Sequence, residues 1–266
     1  MQASQAMESG QLTKTAAEVY EEFFVPALFG EWASRTCEAA GIAAGRRLLD
    51  VACGTGCVAR EAARRGADVT GLDPNEGMLA VARRLAPKID WREGAAEALP
   101  FGDGAFDAVT CQFGLMFFED RVMALAEMWR VVKPGGRLVV ATWDALERTP
   151  GYAAMVALLQ RLFGDEVADG LRAPFVLGDP AELLGLFEAA GIPGATLDIQ
   201  VGTARFPSLA DWVHTDVKGW TLADVLDDAQ YELLQEEAQQ ELKRFATAEG
   251  TVRFDSPAHI VTAVKG

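Results

Sequence analysis

Short apolar runs of strand type alternate with longer stretches of helical periodicity along the first half of the chain. The strand-type runs lie at residues 46–52, 67–73, 89–94, 106–113 and 136–143. The stretches with apolar residues at helical spacing lie at 57–66, 75–86 and 120–132. Strands that alternate with helices of this length predict a parallel sheet covered by helices on both faces. The pattern therefore predicts an α/β fold for this part of the chain.

The pattern changes on either side of this alternating region. Before it, residues 15–40 have a helical periodicity that Pro26 and Gly30 interrupt, so we expect a helix broken at these two positions. After it, the chain shows two helical stretches between residues 150 and 192, a strand at 195–206, a long helix at 221–246 and a closing strand at 251–266. The second half therefore predicts helices combined with a final pair of strands.

The composition restricts the classes of partner. The 266 residues carry a formal net charge of −15, and 50% of them are hydrophobic. An acidic surface repels nucleic-acid phosphates and anionic lipid headgroups, so we expect neither nucleic acid nor a membrane as a partner. A small-molecule ligand is compatible with this charge.

Cysteine usage and the N-terminus bear on location and on metal binding. Cys37, Cys53, Cys57 and Cys111 form no CxxC pair, and the chain has two histidines, which predicts neither a disulfide framework nor a metal site. The N-terminus lacks the basic start and apolar core of a signal peptide. No apolar run approaches the roughly 20 residues that span a bilayer. We therefore expect a cytoplasmic protein without a bound metal.

Candidate chemistry is concentrated in the segment LLDVACGTG, residues 48–56. A strand-type run ends there in Asp50, and a turn with Gly54 and Gly56 follows. Glycines let the backbone approach a ligand, and the next helix directs free N–H groups into the same space. Asp73 stands at the end of the next strand, nineteen residues after Gly54, which is the spacing of acids that bind ribose hydroxyls. The combination predicts a ligand that contains adenosine.

The same turn also allows a different adenosine ligand. The segment GTGCVA, residues 54–59, fits the looser GxGxxA form of the dinucleotide fingerprint, so a nicotinamide or flavin enzyme is an alternative. A carboxylate just before the glycines would repel a diphosphate and suits a cationic ammonium or sulfonium group. The chain also ends in a strand pair instead of a second mononucleotide-binding half. These features favour a cationic adenosine ligand.

Four segments together resemble a known family. They are LLDVACGTG (48–56), VTGLDPNEGMLAVAR (69–83), EGAAEALPFGDGAFDAVTCQFGLMFF (93–118) and EMWRVVKPGGRLVVATW (127–143). With these motifs in this order, the chain resembles the class I S-adenosylmethionine-dependent methyltransferases of the ubiquinone/menaquinone-biosynthesis subgroup, methyltransferase type 11. The resemblance covers roughly residues 15–145.

The resemblance implies the fold and the domain organisation. It implies a doubly wound, mostly parallel seven-stranded sheet with an antiparallel last strand, the Rossmann-like methyltransferase fold, with a helical cap. The expected organisation is a disordered tail at 1–14 and a single methyltransferase domain at 15–266. Within this domain we expect N-terminal helices at 15–41, a cofactor-binding core at 46–143, and cap insertions at 146–192 and 206–250.

The resemblance also implies which residues bind the cofactor, S-adenosylmethionine, and its product S-adenosylhomocysteine. The expected contacts are Tyr20, Asp50, Ala52, Cys53, Gly54, Gly56, Asp73, Pro74, Met78, Ala95, Ala96, Glu97, Gln112 and Phe113. The turn that begins at Asp50 would line the methionine and ribose portion, and Asp73 would hold the ribose hydroxyls. Pro74 would pack on the adenine face together with Met78, and Gln112 would lie beside the methionine group.

Several of these expectations have alternatives. Packing in the hydrophobic core is the alternative role for Tyr20, expected to close over the cofactor, and for Met78. A helix-terminus or turn acid is the alternative role for Asp50, and a cap before Pro74 is the alternative role for Asp73. Ala95, Ala96 and Glu97 would border the adenine edge, with the Ala96 N–H facing a ring nitrogen. Relatives usually have an aspartate where Ala95 stands. Because Ala95 cannot accept a hydrogen bond from the adenine amine, we expect weaker cofactor binding, not its loss.

Methyl transfer from a sulfonium is an in-line displacement, so the protein mainly aligns the reactants and needs neither a metal nor a nucleophile of its own. A base is required only where the acceptor must lose a proton. The candidates are His214, Tyr152 and Asp211, although a lone histidine more often has no catalytic role. Possible apolar walls for a flat or hydrophobic acceptor are Trp143, Phe163, Phe175, Trp212 and Trp220, and the run at 113–118 forms either core or part of this wall.

The predicted function is S-adenosylmethionine-dependent methylation of a small molecule that the sequence does not identify. The first alternative is an S-adenosylmethionine-binding protein without methyltransferase activity, because a fold does not determine a function. The second alternative is a nicotinamide-dependent oxidoreductase. The sequence decides neither which atom of the acceptor is methylated nor the oligomeric state.

Overall fold

The structure of the protein is a computed structural model. It describes residues 14–218, 222 and 225–266. The predicted tail up to residue 13 and the predicted wall residue Trp220 lie outside the described residues. Lys14, the last residue of the predicted tail, begins the first helix.

The described residues form one seven-stranded sheet with the strand order β3-β2-β1-β4-β5-β7-β6. The strands are β1 (Arg47–Val51), β2 (Asp68–Asp73), β3 (Asp90–Glu93), β4 (Phe106–Gln112), β5 (Val132–Trp143), β6 (Thr196–Phe206) and β7 (Val252–Val264). β7 runs antiparallel to both β5 and β6, and the other neighbouring strands run parallel. This sheet confirms the predicted fold class, a mostly parallel α/β sheet with an antiparallel last strand.

β1 lies near the centre of the sheet because its side chains suit burial on both faces. Leu48, Leu49 and Val51 are all fully buried. The strand pairs with β2 on one side and with β4 on the other. Successive connections therefore leave β1 and β4 in opposite directions, which makes the carboxyl ends of these strands the topological switch point of the sheet. Ligands of open α/β sheets bind at such points.

Helices connect the strands, and several begin with the side-chain caps that the sequence indicates. The α-helices are α1 (Lys14–Val19), α2 (Gly30–Ala39), α3 (Cys57–Arg64), α4 (Glu76–Leu85), α5 (Arg121–Val131), α6 (Pro150–Phe163), α7 (Asp165–Arg172), α8 (Pro180–Ala189), α9 (Leu209–Lys218) and α10 (Asp228–Glu241). Asn75 caps α4 by accepting a hydrogen bond from the Met78 N–H, and Asp120 caps α5 through the Met123 N–H. These caps satisfy N–H groups that have no partner within the helix.

The N-terminal helical segment is continuous, so the predicted breaks at Pro26 and Gly30 are wrong. A π-helix over Tyr20–Phe29 joins α1 to α2. Gly30 has helical backbone angles, and its N–H donates to the Val25 carbonyl. The wider turn of a π-helix accommodates a proline ring that would clash with the preceding turn of an α-helix.

The second half of the chain contains more helices than its sequence pattern predicts. α7 follows α6 directly, because Gly164 ends α6 at a φ of 88° and the chain then starts a new helix. α9 was not predicted. The long helix expected at 221–246 begins at Asp228, where Asp227 and Gln230 form a capping box. None of the helices in the described ranges has the length and apolar character that a membrane span requires.

Aromatic rings attach the helices of the second half to the last two strands. The Trp212 ring of α9 lies 4.8 Å from Phe254 of β7 and stacks on Phe206 of β6 at 5.7 Å. The Tyr152 ring of α6 meets Phe254 edge-on at 5.5 Å. The neighbouring residue, Gly151, permits this approach because an added Cβ would lie 2.5 Å from the Phe254 ring. This cluster fixes α6 and α9 beside the ligand-binding end of the sheet.

Candidate active site

A cleft of about 640 Å³ lies where the carboxyl ends of β1, β2 and β4 meet. Sites for small molecules typically have volumes of about 300–1,000 Å³. Eleven of the predicted cofactor contacts line the cleft, namely Tyr20, Ala52, Gly54, Asp73, Pro74, Met78, Ala95, Ala96, Glu97, Gln112 and Phe113. The fold thus brings residues from the N-terminal segment and from the ends of four strands, β1 to β4, to the topological switch point.

Asp73, the last residue of β2, presents a fixed carboxylate to the cleft. Its Oδ2 accepts a hydrogen bond from the Gly54 N–H at 2.8 Å, and its Oδ1 accepts one from the Asn75 N–H at 2.8 Å. Burial raises the pKa of Asp73 to about 6, although these two N–H groups act in the opposite direction. Each carboxylate oxygen keeps a second lone pair. The group can therefore still accept two hydrogen bonds from a ribose diol.

Two turns beside the cleft hold unusual backbone conformations. Ala52 after β1 has a φ of 53°, Phe113 after β4 has a φ of 55°, and no other non-glycine residue in the described ranges has a positive φ. Such conformations cost about 1–3 kcal/mol each and concentrate at functional sites. At Gly54 an added Cβ would lie 3.9 Å from the Tyr20 ring, so the absent side chain leaves room between that ring and the turn.

Asp50 is not among the residues that line the cleft, contrary to the expectation that it borders the methionine end of the cofactor. It is 1% exposed. Its carboxylate accepts hydrogen bonds from the Ala59 N–H at 3.1 Å and from the Thr110 hydroxyl at 2.9 Å. Burial raises the pKa of Asp50 to about 7. Asp50 therefore caps the first turn of α3 and links it to β4, because the free N–H groups of that turn need an acceptor.

Cys53 and Gly56 also pack against the interior and do not line the cleft. The Cys53 Sγ lies against Gly71 of β2, 3.1 Å from where a Cβ on that glycine would be. Gly56 has a φ of 87° at the start of α3, and an added Cβ would lie 2.3 Å from the Trp91 ring of β3. Gly56 is thus required for the packing of Trp91, and the structure shows no ligand-facing role for it.

The N-terminal helical segment closes one side of the cleft. The Tyr20 ring stacks on Phe29 at 5.1 Å. The Gln112 amide, at the end of β4, accepts a hydrogen bond from the Thr36 hydroxyl at 2.8 Å and donates one to the Phe29 carbonyl at 3.3 Å. Met78 both lines the cleft and packs in a small core cluster next to Tyr20, so the two roles considered for it occur together.

Part of the lining was not predicted. The additional residues are Leu72, Asn75, Gly114, Glu119, Asp120 and Met123. Phe117 and Phe118, from the run considered as either core or wall, line the cleft, whereas Leu115 and Met116 are buried in the core. A signal for the missed residues existed, because loops that follow the carboxyl ends of strands bind ligands in this fold class. Asn75 and Asp120 are also the caps of α4 and α5, which begin at this edge.

A narrower pocket adjoins the cleft and shares Phe113 and Phe117 with it. We call it the aromatic pocket. Its lining residues are Phe24, Leu28, Phe29, Phe113, Phe117, Trp143, Tyr152, Leu171, Pro174, Phe175 and Asp216. The Trp143 ring stacks on Phe113 at 3.8 Å with an interplanar angle of 8°. Apart from Asp216, the lining is aromatic or aliphatic, so a group that enters this pocket meets a mostly apolar surface.

The predicted acceptor walls are only partly correct. Trp143 and Phe175 line the aromatic pocket. Phe163 and Trp212 are absent from its lining, since Phe163 ends α6 and Trp212 packs against Phe254. No local pattern distinguishes the aromatic residues of the cap that pack on the sheet from those that line a pocket.

The structure places two of the three candidate bases away from both the cleft and the aromatic pocket. His214 makes a hydrogen bond of 3.2 Å to the Tyr231 hydroxyl. Asp211 accepts a hydrogen bond from the Ser208 hydroxyl at 2.7 Å, as part of a local turn. Tyr152 does line the aromatic pocket, but its hydroxyl donates to Asp216 at 3.2 Å, and burial raises the pKa of this tyrosine well above its ordinary value. A neutral tyrosine of this kind is a hydrogen-bond donor and not a base.

Metal binding finds no support in the part of the chain that the structure describes. Those residues contain no group of three or more His, Cys, Asp or Glu side chains placed to hold an ion. His259, the second histidine, is fully buried in β7, with its Nε2 3.1 Å from the Asp144 Oδ1.

Comparisons with known proteins agree with this geometry. A family model described as a methyltransferase domain matches residues 49–140. The demethylmenaquinone methyltransferase of Renibacterium salmoninarum is 51% identical over 113 residues, which are 42% of this chain and 48% of that protein. The chain thus spans about half the length of the first curated relatives that it matches.

A longer match and a solved structure extend the comparison. The demethylmenaquinone methyltransferase of Mycobacterium sp. (strain KMS) is 48% identical over 182 residues, 68% of this chain and 74% of that protein. The phosphoethanolamine N-methyltransferase 2 of Haemonchus contortus, solved in complex with S-adenosyl-L-methionine, superimposes with a TM-score of 0.62 at 20% identity, covering 99% of this chain and 60% of that one. At this identity the structural likeness concerns the fold. The sequence matches show that the chain belongs to the class I S-adenosylmethionine-dependent methyltransferase family, in its ubiquinone/menaquinone-biosynthesis branch.

Proposed function

We propose that this protein is an S-adenosylmethionine-dependent methyltransferase that acts on a small, largely apolar acceptor. The observation that carries the proposal is the Asp73 carboxylate, which the N–H groups of Gly54 and Asn75 hold at the edge of the cleft. This is the position at which open α/β sheets bind the ribose of an adenosine ligand. The family of the chain supports the same activity.

The lining of the cleft is complementary to each part of this cofactor. Asp73 accepts hydrogen bonds from the ribose hydroxyls, and Pro74 and Met78 offer an apolar surface to the adenine. Ala95 and Ala96 border the opposite edge of the adenine. The cofactor, when bound, supplies an electrophilic methyl group on its sulfonium.

The charge of the cleft favours a cationic ligand over a dinucleotide. Asp73, Glu97, Glu119 and Asp120 line it, and its lining contains no Lys or Arg among the described residues. A diphosphate bound here would have no cationic partner, whereas an ammonium or a sulfonium would be attracted. This charge distribution replaces Asp50 as the argument against a nicotinamide enzyme, because the Asp50 carboxylate is turned away from the cleft.

The protein contributes alignment and the exclusion of water. Phe113 and Phe117 belong to both the cleft and the aromatic pocket, so an acceptor in the pocket lies next to a ligand in the cleft. Phe29 and Trp143 line the aromatic pocket beside this junction, and their apolar rings would exclude water from it. Holding two reactants in line can lower a barrier by roughly 7–11 kcal/mol.

The acceptor proposed here is a flat molecule with little charge. Its support is the aromatic pocket, in which the Trp143 and Phe113 rings stack on each other. The names of the curated relatives, demethylmenaquinone methyltransferases, point to an acceptor of the same general kind.

The activity can be tested with S-adenosylmethionine that carries a labelled methyl group, incubated with the protein and a fractionated small-molecule extract. We expect a labelled product that requires the protein. A thermal unfolding series should show stabilisation by S-adenosylhomocysteine and none by NADH, since a ligand at 100 times its Kd stabilises a protein by about 2.7 kcal/mol. Stabilisation without label transfer would favour a non-catalytic binding protein, and stabilisation by NADH alone would favour an oxidoreductase.

A further inference from the structure

The aromatic pocket contains a buried acid whose hydrogen bonding is incomplete. Asp216 of α9 lines this pocket and is 2% exposed. Its Oδ1 accepts the hydrogen bond from the Tyr152 hydroxyl at 3.2 Å. Its Oδ2 is buried without a hydrogen-bond partner among the described residues. The remaining lining residues are aliphatic or aromatic.

Such an arrangement is costly for the protein alone. A buried polar group without a partner destabilises the folded state, and more strongly when it is charged. The apolar surroundings raise the pKa of Asp216 to about 8. The Tyr152 hydroxyl and, after it, the Trp212 indole lower the pKa of Asp216, although the Trp212 N–H makes no hydrogen bond of normal geometry. Unsatisfied acids in a pocket mark candidate ligand-binding groups.

We propose that Asp216 anchors the methyl acceptor through a hydrogen bond between its Oδ2 and a hydroxyl group of that molecule. This inference rests on the function proposed above and specifies the acceptor as an apolar, flat body with a hydroxyl at one end. Tyr152 orients the carboxyl by holding Oδ1. The carboxyl donates to the hydroxyl oxygen when it is protonated and accepts from the hydroxyl when it is ionised, so the bond persists across neutral pH.

Asp216 lies in the pocket that adjoins the cleft, so a molecule bound to it is held close to the cofactor site. The aromatic pocket meets the cleft at Phe113 and Phe117, at the end of β4 where the methionine portion of the cofactor is expected. The aromatic pocket has a volume of about 40 Å³, so only the hydroxyl end of the acceptor enters it. The rest of the molecule would lie past Phe113 and Phe117, toward the cleft. Asp216 would thereby determine which apolar molecules bind, and it takes no part in bond breaking.

The test compares two probes that differ in one group, 1-naphthol and 1-methylnaphthalene. Their dissociation constants are measured by calorimetry on the full chain, with and without S-adenosylhomocysteine. We expect the wild-type protein to bind 1-naphthol about tenfold more tightly, because its hydroxyl gains a hydrogen bond that a methyl group cannot make. A tenfold difference corresponds to about 1.4 kcal/mol. Asp216→Asn keeps an oxygen for the Tyr152 hydroxyl, and Asp216→Leu removes all hydrogen bonding. We expect the preference to vanish in Asp216→Leu and to weaken in Asp216→Asn, whose amide N–H₂ can still donate to the hydroxyl oxygen.

Asp169→Asn is the matched control. Asp169 lies on the exposed side of α7, paired with Arg172, whereas Leu171 of the same helix lines the aromatic pocket. This variant should keep the full preference. Equal binding of the two probes by the wild type, no binding of 1-naphthol, or an unchanged preference in a folded Asp216→Leu would each overturn the anchor. Failure of S-adenosylhomocysteine to bind would instead overturn the proposed function, and the probe comparison without it would still decide the role of Asp216.

Discussion

At the scale of single residues, two acids at neighbouring strand ends have different surroundings. The Asp73 carboxylate lies beside the cleft, and each of its oxygens accepts one hydrogen bond from a backbone N–H group, of Gly54 or of Asn75. Asp50, one strand away, uses its carboxylate on the first turn of α3 and on Thr110. Both carry raised pKa values because both are buried. Asp73 can contact a ligand because it lines the cleft, whereas Asp50 is enclosed by α3 and β4.

Replacing Asp73 tests the assignment of the ribose site. Asp73→Asn retains one acceptor oxygen, but its amide N–H₂ would face a backbone N–H, of Gly54 or of Asn75. We expect the Kd for S-adenosylhomocysteine to rise about 10- to 100-fold, measured by calorimetry, because hydrogen bonds to a charged group contribute about 1.5–3 kcal/mol. Asp90→Asn, at an exposed acid of β3, should leave the Kd unchanged. A folded Asp73→Asn that binds within threefold of the wild type would contradict the ribose assignment.

A substitution at Ala95 is expected to increase the affinity for S-adenosylmethionine. Ala95 lines the cleft, and an aspartate there could accept a hydrogen bond from the adenine amine. We expect Ala95→Asp to tighten S-adenosylmethionine binding about 2- to 10-fold, which corresponds to about 0.5–1.5 kcal/mol. Ala98→Asp, three residues along in the same loop and outside the cleft lining, controls for added charge. Equal or weaker binding in Ala95→Asp would place the adenine elsewhere.

At the scale of elements, close packing between β3 and the start of α3 determines how the glycine turn is built. The Trp91 ring occupies the space that side chains at Gly56 and Gly71 would need. Its indole N–H donates to the Ala86 carbonyl at 2.9 Å, after α4. The Trp91 ring of β3 therefore contacts β2, the start of α3 and the residue that follows α4.

This packing predicts unequal effects of two glycine substitutions. Gly45 and Gly56 both have positive φ, 78° and 87°, so both lose about 1–2 kcal/mol from backbone strain when replaced by alanine. An added Cβ has no neighbour within 4 Å at Gly45 but would lie 2.3 Å from Trp91 at Gly56. We expect Gly56→Ala to lower the free energy of unfolding by at least about 1 kcal/mol more than Gly45→Ala, since overpacking typically costs 1–3 kcal/mol. Chemical denaturation measures both, and equal losses would contradict this role of Trp91.

At the scale of the whole molecule, buried acids and net charge combine to make stability depend on pH. Burial raises the pKa values of Asp50 to about 7, Asp73 to about 6 and Asp216 to about 8. In the unfolded chain such groups titrate near 3.9. The folded state therefore retains protons that the unfolded state releases between about pH 4 and pH 8, and the free energy of unfolding falls as the pH rises through this range. The net charge of −15 acts in the same direction.

We therefore expect the ligand-free protein to be more stable at pH 5.5 than at pH 8.5 in urea denaturation. Asp50→Asn should reduce this difference by about 1–2 kcal/mol and be the more stable form at pH 8.5. The asparagine can accept from the Ala59 N–H and donate to the Thr110 hydroxyl, so the local hydrogen bonds are kept. Carboxyls with lowered pKa values, such as Glu61 and Glu127, lose their stabilising effect only at lower pH. Parallel pH profiles for the two proteins would show that Asp50 does not titrate in this range.

The sequence by itself determined the elements of the sheet and the edge at which the cleft lies. Each predicted strand corresponds to an observed one within a few residues, because apolar runs and helical periodicity are local properties of the chain. The spacing from Gly54 to Asp73 also sufficed to bring both to one cleft, since adjacent parallel strands end side by side. The helix break predicted at Pro26 is wrong because this proline lies in a π-helix, which depends on the packing around it and has no local sequence pattern.

Only the tertiary structure decided which side chains near the cleft face a ligand. Asp50, Cys53 and Gly56 lie in the same motif as Gly54, yet Asp50 bonds to α3, Cys53 packs against Gly71 of β2, and Gly56 packs against Trp91 of β3. The same holds in the second half, where Trp212 joins a ring cluster on the sheet while Asp216, four residues later, enters the aromatic pocket. The direction of a side chain depends on contacts between segments far apart in the chain, and no local pattern of residues encodes those contacts.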